Sequence, residues 1–129
     1  MEETDPFDIL FVDEKTATEE LQKRVEQASE IFVIERETGK ILFKNYESLN
    51  DSQRVMVVLL GRYIAKKKGL NVSDCLGPSE LGQNIGKSRT SISAPLAKLR
   101  TMGIIEAVDG SYRINPHRVG KILDFITTR

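Results

Sequence analysis

Between Pro78 and Ile114 glycine and proline cut the chain into short pieces at regular intervals, and this punctuation restricts the fold more than any other feature. Pro78 suits the first position of a helix, because its missing N–H would have no intrahelical acceptor there. Glu80 then falls at the third position, and Leu81 and Ile85 lie four apart on one face. Gly86 stops this helix after about two turns. Ser88 is placed to cap a second helix, with Ile92, Leu96 and Leu99 as its inner stripe and Gly103 as its stop. The next pieces are Ile104–Val108, Asp109-Gly110 and Ser111–Ile114, which read as strand, two-residue turn and return strand. Asn115-Pro116 opens a last helix whose face is Val119, Ile122, Leu123 and Ile126. Helices this short are marginal alone in water, so they have to pack on something.

The apolar run Val55–Gly61 supplies that support. It is too short to span a bilayer, which takes roughly 20 residues, and it reads as a buried helix capped by Asn50 or Asp51. That helix ends at Lys66-Lys67-Lys68-Gly69, where the lysines satisfy the negative end of the helix dipole or reach a phosphate. Residues 70–77 read as a loop with a short strand at Leu70–Val72. Ahead of the central helix, Phe7–Val12 reads as a strand. A helix follows, capped by Thr16 or Thr18, with Glu19 and Glu20 in its first turn and Leu21, Val25 and Ala28 at helical spacing. Ile31–Ile34 and Ile41–Phe43 form a hairpin whose turn uses Gly39. At 129 residues and 40% hydrophobic the chain can build one ordinary core. The expected class is α+β, divided into an acidic region over 1–49 and a larger unit over 50–129.

The formal net charge is zero, but it is unevenly distributed. Residues 1–49 carry 6 basic and 13 acidic side chains, a net of −7; residues 50–129 carry 13 basic and 6 acidic, a net of +7. A basic half suits a polyanion; alternatively, the two halves neutralise each other by docking.

Other chemistry is poorly served. Cys75 and His117 are the only residues of their kinds, which rules out an intrachain disulfide or a cysteine–histidine zinc site. Cys75 reads as a packing residue and His117 as a surface histidine at a helix start. Asp13-Glu14 and Glu19-Glu20 are adjacent acids of the kind found on solvated faces, and no glycine-rich phosphate loop is present. The expectation is a non-enzyme without metal or cofactor. The acidic opening Met1–Asp5 lacks the basic and apolar character of a secretory signal, so a cytoplasmic location is expected.

The run Gly77–Ile105 resembles the helix-turn-helix core of winged-helix regulators, of the MarR type and of related archaeal regulators. The resemblance extends over about residues 50–115 through the order helix, short helix, turn, helix, hairpin. It implies a three-helix core with a β-hairpin wing, binding to double-stranded DNA, a role in transcription regulation, and commonly a dimer. Read residue by residue, Arg89 can pair with guanine or grip a phosphate, and Thr90, Ser91 and Ser93 can donate to phosphates or base edges. Ala94 lets the backbone approach closely. Ser79 and Ser88 mark helix N-termini, where free N–H groups attract phosphate. Lys87, Lys98 and Arg100 add cationic attraction, and Tyr112 and Arg113 lie on the wing. The serines and threonine also serve as plain caps. Pro95 departs from the pattern. Either the groove helix kinks, or it starts later with Ser91 or Ser93 as cap, which shortens the reading surface and favours phosphate contacts. A second reading makes the fold a protein-contact subunit, with residues 1–49 or the final helix as a dimer or partner surface.

Overall fold

The computed structural model describes Leu10 and residues 14–127. Its elements are, in order, α1 (Glu14–Ala28), β1 (Phe32–Ile34), β2 (Ile41–Phe43), α2 (Asp51–Lys67), α3 (Pro78–Ile85), α4 (Ser93–Thr101), β3 (Ile105–Val108), β4 (Ser111–Ile114) and α5 (Val119–Thr127). The expected strand Phe7–Val12 lies, apart from Leu10, outside the described residues. The fold is α+β, with two separate antiparallel hairpins, β1–β2 and β3–β4. Among the described residues no helix is long and apolar enough to cross a membrane.

Helix α2 is the axis. Both hairpins and α3, α4 and α5 pack on it, which is why the whole run Val55–Gly61 is buried. An apolar stripe would suffice for a surface helix; an unbroken run fits a helix covered on all sides. Asn50 starts it with a reciprocal cap. Its side chain accepts from the Gln53 N–H at 2.8 Å, and the Gln53 side chain accepts from the Asn50 N–H at 2.9 Å. The amide of Gln53 also donates to the Phe125 carbonyl at 2.9 Å, which ties the start of α2 to α5. At the other end Gly69 takes φ +94°, as expected past a helix terminus. Two of the three lysines there have local partners: Lys66 pairs with Asp74 at 3.4 Å, and Lys67 sits 5.6 Å from the centre of the Tyr63 ring.

The front elements share this core. Ala28, Ile31, Phe32, Ile41 and Leu49 belong to the same buried cluster as the apolar residues of α2 through α5. In the first hairpin Phe32 faces Phe43 and Ile34 faces Ile41. Its turn is closed by Glu35 donating to Lys40 and Gly39 donating to Glu35, with Gly39 at φ +73°. Two expectations fail in α1. The helix begins at Glu14, so neither Thr16 nor Thr18 caps it; the Thr18 hydroxyl donates back to the Glu14 carbonyl within the helix. Leu21 and Val25 stay about half exposed, at 50% and 51%. The helix meets mainly α5, and an Arg24–Asp124 ion pair at 3.4 Å joins the two.

A short 3₁₀ turn at Tyr46–Ser48 connects the front to the rear. The Tyr46 hydroxyl donates to the carbonyl of Ile85, the last residue of α3. Tyr46→Phe keeps the ring and removes only that donor. The expected loss is about 1–2 kcal/mol of stability, because a part-buried carbonyl loses its partner. Chemical denaturation of the variant against the parent measures it; a difference under about 0.3 kcal/mol would show that the bond contributes nothing net.

At the rear Leu76, and not the expected Leu70–Val72, adds the extra strand contact. Leu76 exchanges backbone bonds with Tyr112 at 2.9 and 2.8 Å and is fully buried. The β3–β4 turn is Asp109-Gly110, with φ +49° and +80°, the left-handed pair a tight two-residue hairpin needs. Asn115 accepts from the His117 N–H at 3.1 Å, and Pro116–Arg118 form a 3₁₀ turn before α5 starts at Val119.

Candidate functional site

Helices α3 and α4 are held at close range by a small residue. A Cβ on Gly82 would lie 2.5 Å from the Lys87 carbonyl oxygen and 3.4 Å from the Ser88 carbonyl carbon. The same approach is closed by the Lys87 N–H donating to Gly82 at 2.8 Å. Gly86 ends α3 in the left-handed conformation at φ +70°. Ser88 does not cap α4. Its hydroxyl accepts from the Ser91 N–H at 3.1 Å and meets the Ser91 hydroxyl at 2.8 Å, so residues 88–91 close a separate turn. The helix proper begins at Ser93, with Ile92 as the preceding cap residue and no side-chain cap bond. Pro95 is therefore in the first turn, where its missing N–H costs no helical bond. The later start is what the structure shows, although neither Ser91 nor Ser93 is the cap. Arg89, Thr90 and Ser91 precede the helix instead of forming its first turn.

Buried Ile92, Leu96 and Leu99 turn one side of α4 inward, and the remaining surface divides into two flanks. Ser93, Ala97 and Arg100 recur at helical spacing along the first flank. They line an open cleft of about 640 Å³ with Arg89, with Pro78 at the start of α3, and with Tyr112 from β4. Lys98 lies on the second flank, in a shallower depression with Asn50, Gln53 and Met102. The polar side of α4 thus presents its cations in two directions. Lys87, Ser88, Arg89, Thr90, Ser91, Ser93, Ala94, Lys98 and Arg100 are all exposed, as is Ser79 in the first turn of α3.

The two expected wing residues separate. Successive strand residues point to opposite faces. Tyr112 shares its face with buried Ile114 and looks into the cleft. Arg113 faces the other way and pairs with Glu106, directly opposite in register, at 3.1 Å. The pair is solvent-exposed on both sides, so the structure places Arg113 away from the cleft on the outer face of the hairpin.

The charge pattern favours an open basic surface. The ion pairs among the described residues are Arg24–Asp124, Arg54–Asp51, Lys66–Asp74 and Arg113–Glu106. None joins an acid of residues 14–49 to a base of the rear half. The halves share apolar packing, the Arg24–Asp124 ion pair and the hydrogen bonds of Tyr46, and within the described residues Lys87, Arg89, Lys98 and Arg100 have no carboxylate partner. Burial pushes the Cys75 thiol up, and a hydrogen bond to Asp74 and the charge of that carboxylate push the same way. These causes disfavour the thiolate, the nucleophilic form. The described residues contain no cluster of three potential metal ligands.

Pro78, Ala97 and Thr101 also wall the cleft; the sequence marks Pro78 only as a helix start and does not single out Ala97 or Thr101. The spacing of Ser93, Ala97 and Arg100 was the available signal, but it becomes a face only once the helix start is known. Compared with protein families, with characterised proteins and with solved structures, the chain matches none, so its function is to be read from its own residues.

Proposed function

We propose that the chain binds double-stranded DNA as a winged helix-turn-helix protein, with α4 turned to the major groove and the β3–β4 hairpin as the wing, and that it regulates transcription. The observation that carries this reading is the exposed set Lys87, Arg89, Lys98 and Arg100, which no acidic side chain among the described residues neutralises. Such a set gains free energy by displacing counterions from a duplex. Short side chains at Ser93, Ala94 and Ala97 let the backbone of α4 approach the groove, and the serine hydroxyls offer donors to phosphate or base edges. Because α4 starts at Ser93, few residues reach base edges, so phosphate contacts dominate and sequence preference is modest.

Arg89→Ala combined with Lys98→Ala is expected to weaken binding to a labelled duplex by ten-fold or more at about 50 mM salt. The slope of log K against log salt is expected to shrink by roughly 0.9 for each phosphate that is no longer neutralised. Unchanged affinity and slope in the double variant would refute this site. Half-exposed Leu21 and Val25 favour a dimer or partner contact through α1 as a companion to this role. Failure of the whole protein to bind DNA or heparin resin at low salt would leave protein contact as the better reading.

A further inference from the structure

The cleft between α4 and β4 offers more than a phosphate needs. Arg89 and Arg100 both line it, no carboxylate does, and neither arginine is ion-paired among the described residues. The N-terminal end of α3 opens onto it at Pro78. There the capping position is Gly77, which has no side chain to occupy the first free N–H groups. These features suit an anion. A phosphate alone, however, makes no use of the rest of the lining. The wall is the Tyr112 ring, the base is Leu96 and Ala97, and the volume of about 640 Å³ lies within the usual range for small-molecule sites. Two forked cations beside an aromatic ring and an apolar floor form a set that stacks a planar group while holding its charged tail.

We infer that this cleft is a site for one nucleotide unit: phosphate on Arg89 and Arg100, unstacked base against Tyr112. The inference rests on the reading of α4 and the hairpin as a nucleic-acid surface, and it narrows the ligand class. A fully paired base cannot leave its stack to meet Tyr112, whereas a strand end or an unpaired nucleotide can. The preferred partner is therefore a duplex that carries an overhang or a single unpaired nucleotide. Strand alternation places Tyr112 at the cleft and Arg113 on the opposite face, where it pairs with Glu106.

The test uses the full chain, calorimetric titration with thymidine 5′-monophosphate, thymidine and inorganic phosphate, and duplex titrations with and without a single-nucleotide overhang. The monophosphate is expected to bind at least ten-fold more tightly than either fragment. Arg100→Ala should cut its affinity ten-fold or more. Tyr112→Leu should do the same without changing the response to inorganic phosphate, and Tyr112→Phe, which keeps the ring, should restore it. The overhang duplex should bind at least three-fold more tightly than the blunt one, an advantage that disappears in Tyr112→Leu. Equal binding of monophosphate and inorganic phosphate, or no saturable binding of either, overturns the nucleotide site. If blunt duplex still binds and still responds to Arg89 and Lys98, the DNA reading survives that result. Monophosphate binding without any duplex binding does the reverse: the cleft stands and the duplex reading falls.

Discussion

Gly82→Ala is expected to destabilise the chain by about 2 kcal/mol and to weaken duplex binding with it. In the middle of a helix alanine is worth about 1 kcal/mol more than glycine, so intrinsic propensity favours the variant. Packing opposes it. The added methyl would sit 2.5 Å from the Lys87 carbonyl oxygen, with the Ser88 and Arg89 backbone at 3.4 and 3.5 Å. Those neighbours are main chain and have no alternative rotamer to adopt. Relief requires the turn to move away from α3, which strains the 2.8 Å bond from Lys87 to Gly82 and tilts Arg89 and α4 with it. Overpacking of this type costs about 1–3 kcal/mol, and the broken hydrogen bond about 1 more. Gly61→Ala is the control. Its methyl would meet the Cδ1 tip of Ile41 at 2.1 Å, the far end of a flexible side chain that can rotate, so a smaller loss is expected. Thermal and urea unfolding of the two variants compares them directly. If Gly82→Ala proves as stable as the parent, the turn is not held by close approach.

Arg54→Ala is expected to cost about 2–4 kcal/mol, a fall in Tm of roughly 6–14 °C for a chain of this size. Arg54 is only 8% exposed, unusual for a guanidinium, and it is fully engaged. It donates twice to the Tyr46 carbonyl, at 3.3 and 3.0 Å, and once to Asp51 at 3.0 Å, with its plane 3.8 Å from the centre of the Tyr46 ring. Truncation leaves a carbonyl without its donors and removes the lid of the ring that reaches Ile85. Arg54→Lys should recover little, because an ammonium on a flexible stem cannot supply the fork and the stack together. Equilibrium denaturation of both variants settles it; an alanine variant within about 0.5 kcal/mol of the parent, the usual range for an inconsequential surface change, would show the cluster to be dispensable.

Local punctuation made much of the fold readable in advance. Gly39, Gly86, Gly103 and Asp109-Gly110 all take the positive φ values that their turns require, and each was recognisable from its immediate neighbours. The start of α4 was not. Ser88, Ser91 and Ser93 all have cap chemistry, and the choice depends on Ser88 taking the Ser91 N–H into its own turn. The contribution of Leu76 to the rear sheet is one residue of pairing with no periodic signal, while the apolar character of Leu70 and Val72 pointed to the wrong place. The stripe of α1 suggested a buried face, but of Leu21, Val25 and Ala28 the structure buries only Ala28. Of the proposed site, the cations were legible as a group, yet their separation onto two flanks and the inward turn of Tyr112 depend on helix phase and strand register. The link from Tyr46 to Ile85 joins positions 39 residues apart and had no sequence signature.

Pro95 fixes more than the place where α4 starts. With no N–H to offer and a ring that crowds the carbonyl four residues earlier, it stops the helix from growing backward through Ser91 when something touches it. Residues 88–91 therefore keep the turn that Ser88 and Ser91 close instead of joining a longer helix. On the proposed DNA reading, contact at this end falls to the side chains of that turn, Arg89 and Thr90 among them, and not to an added turn of helix.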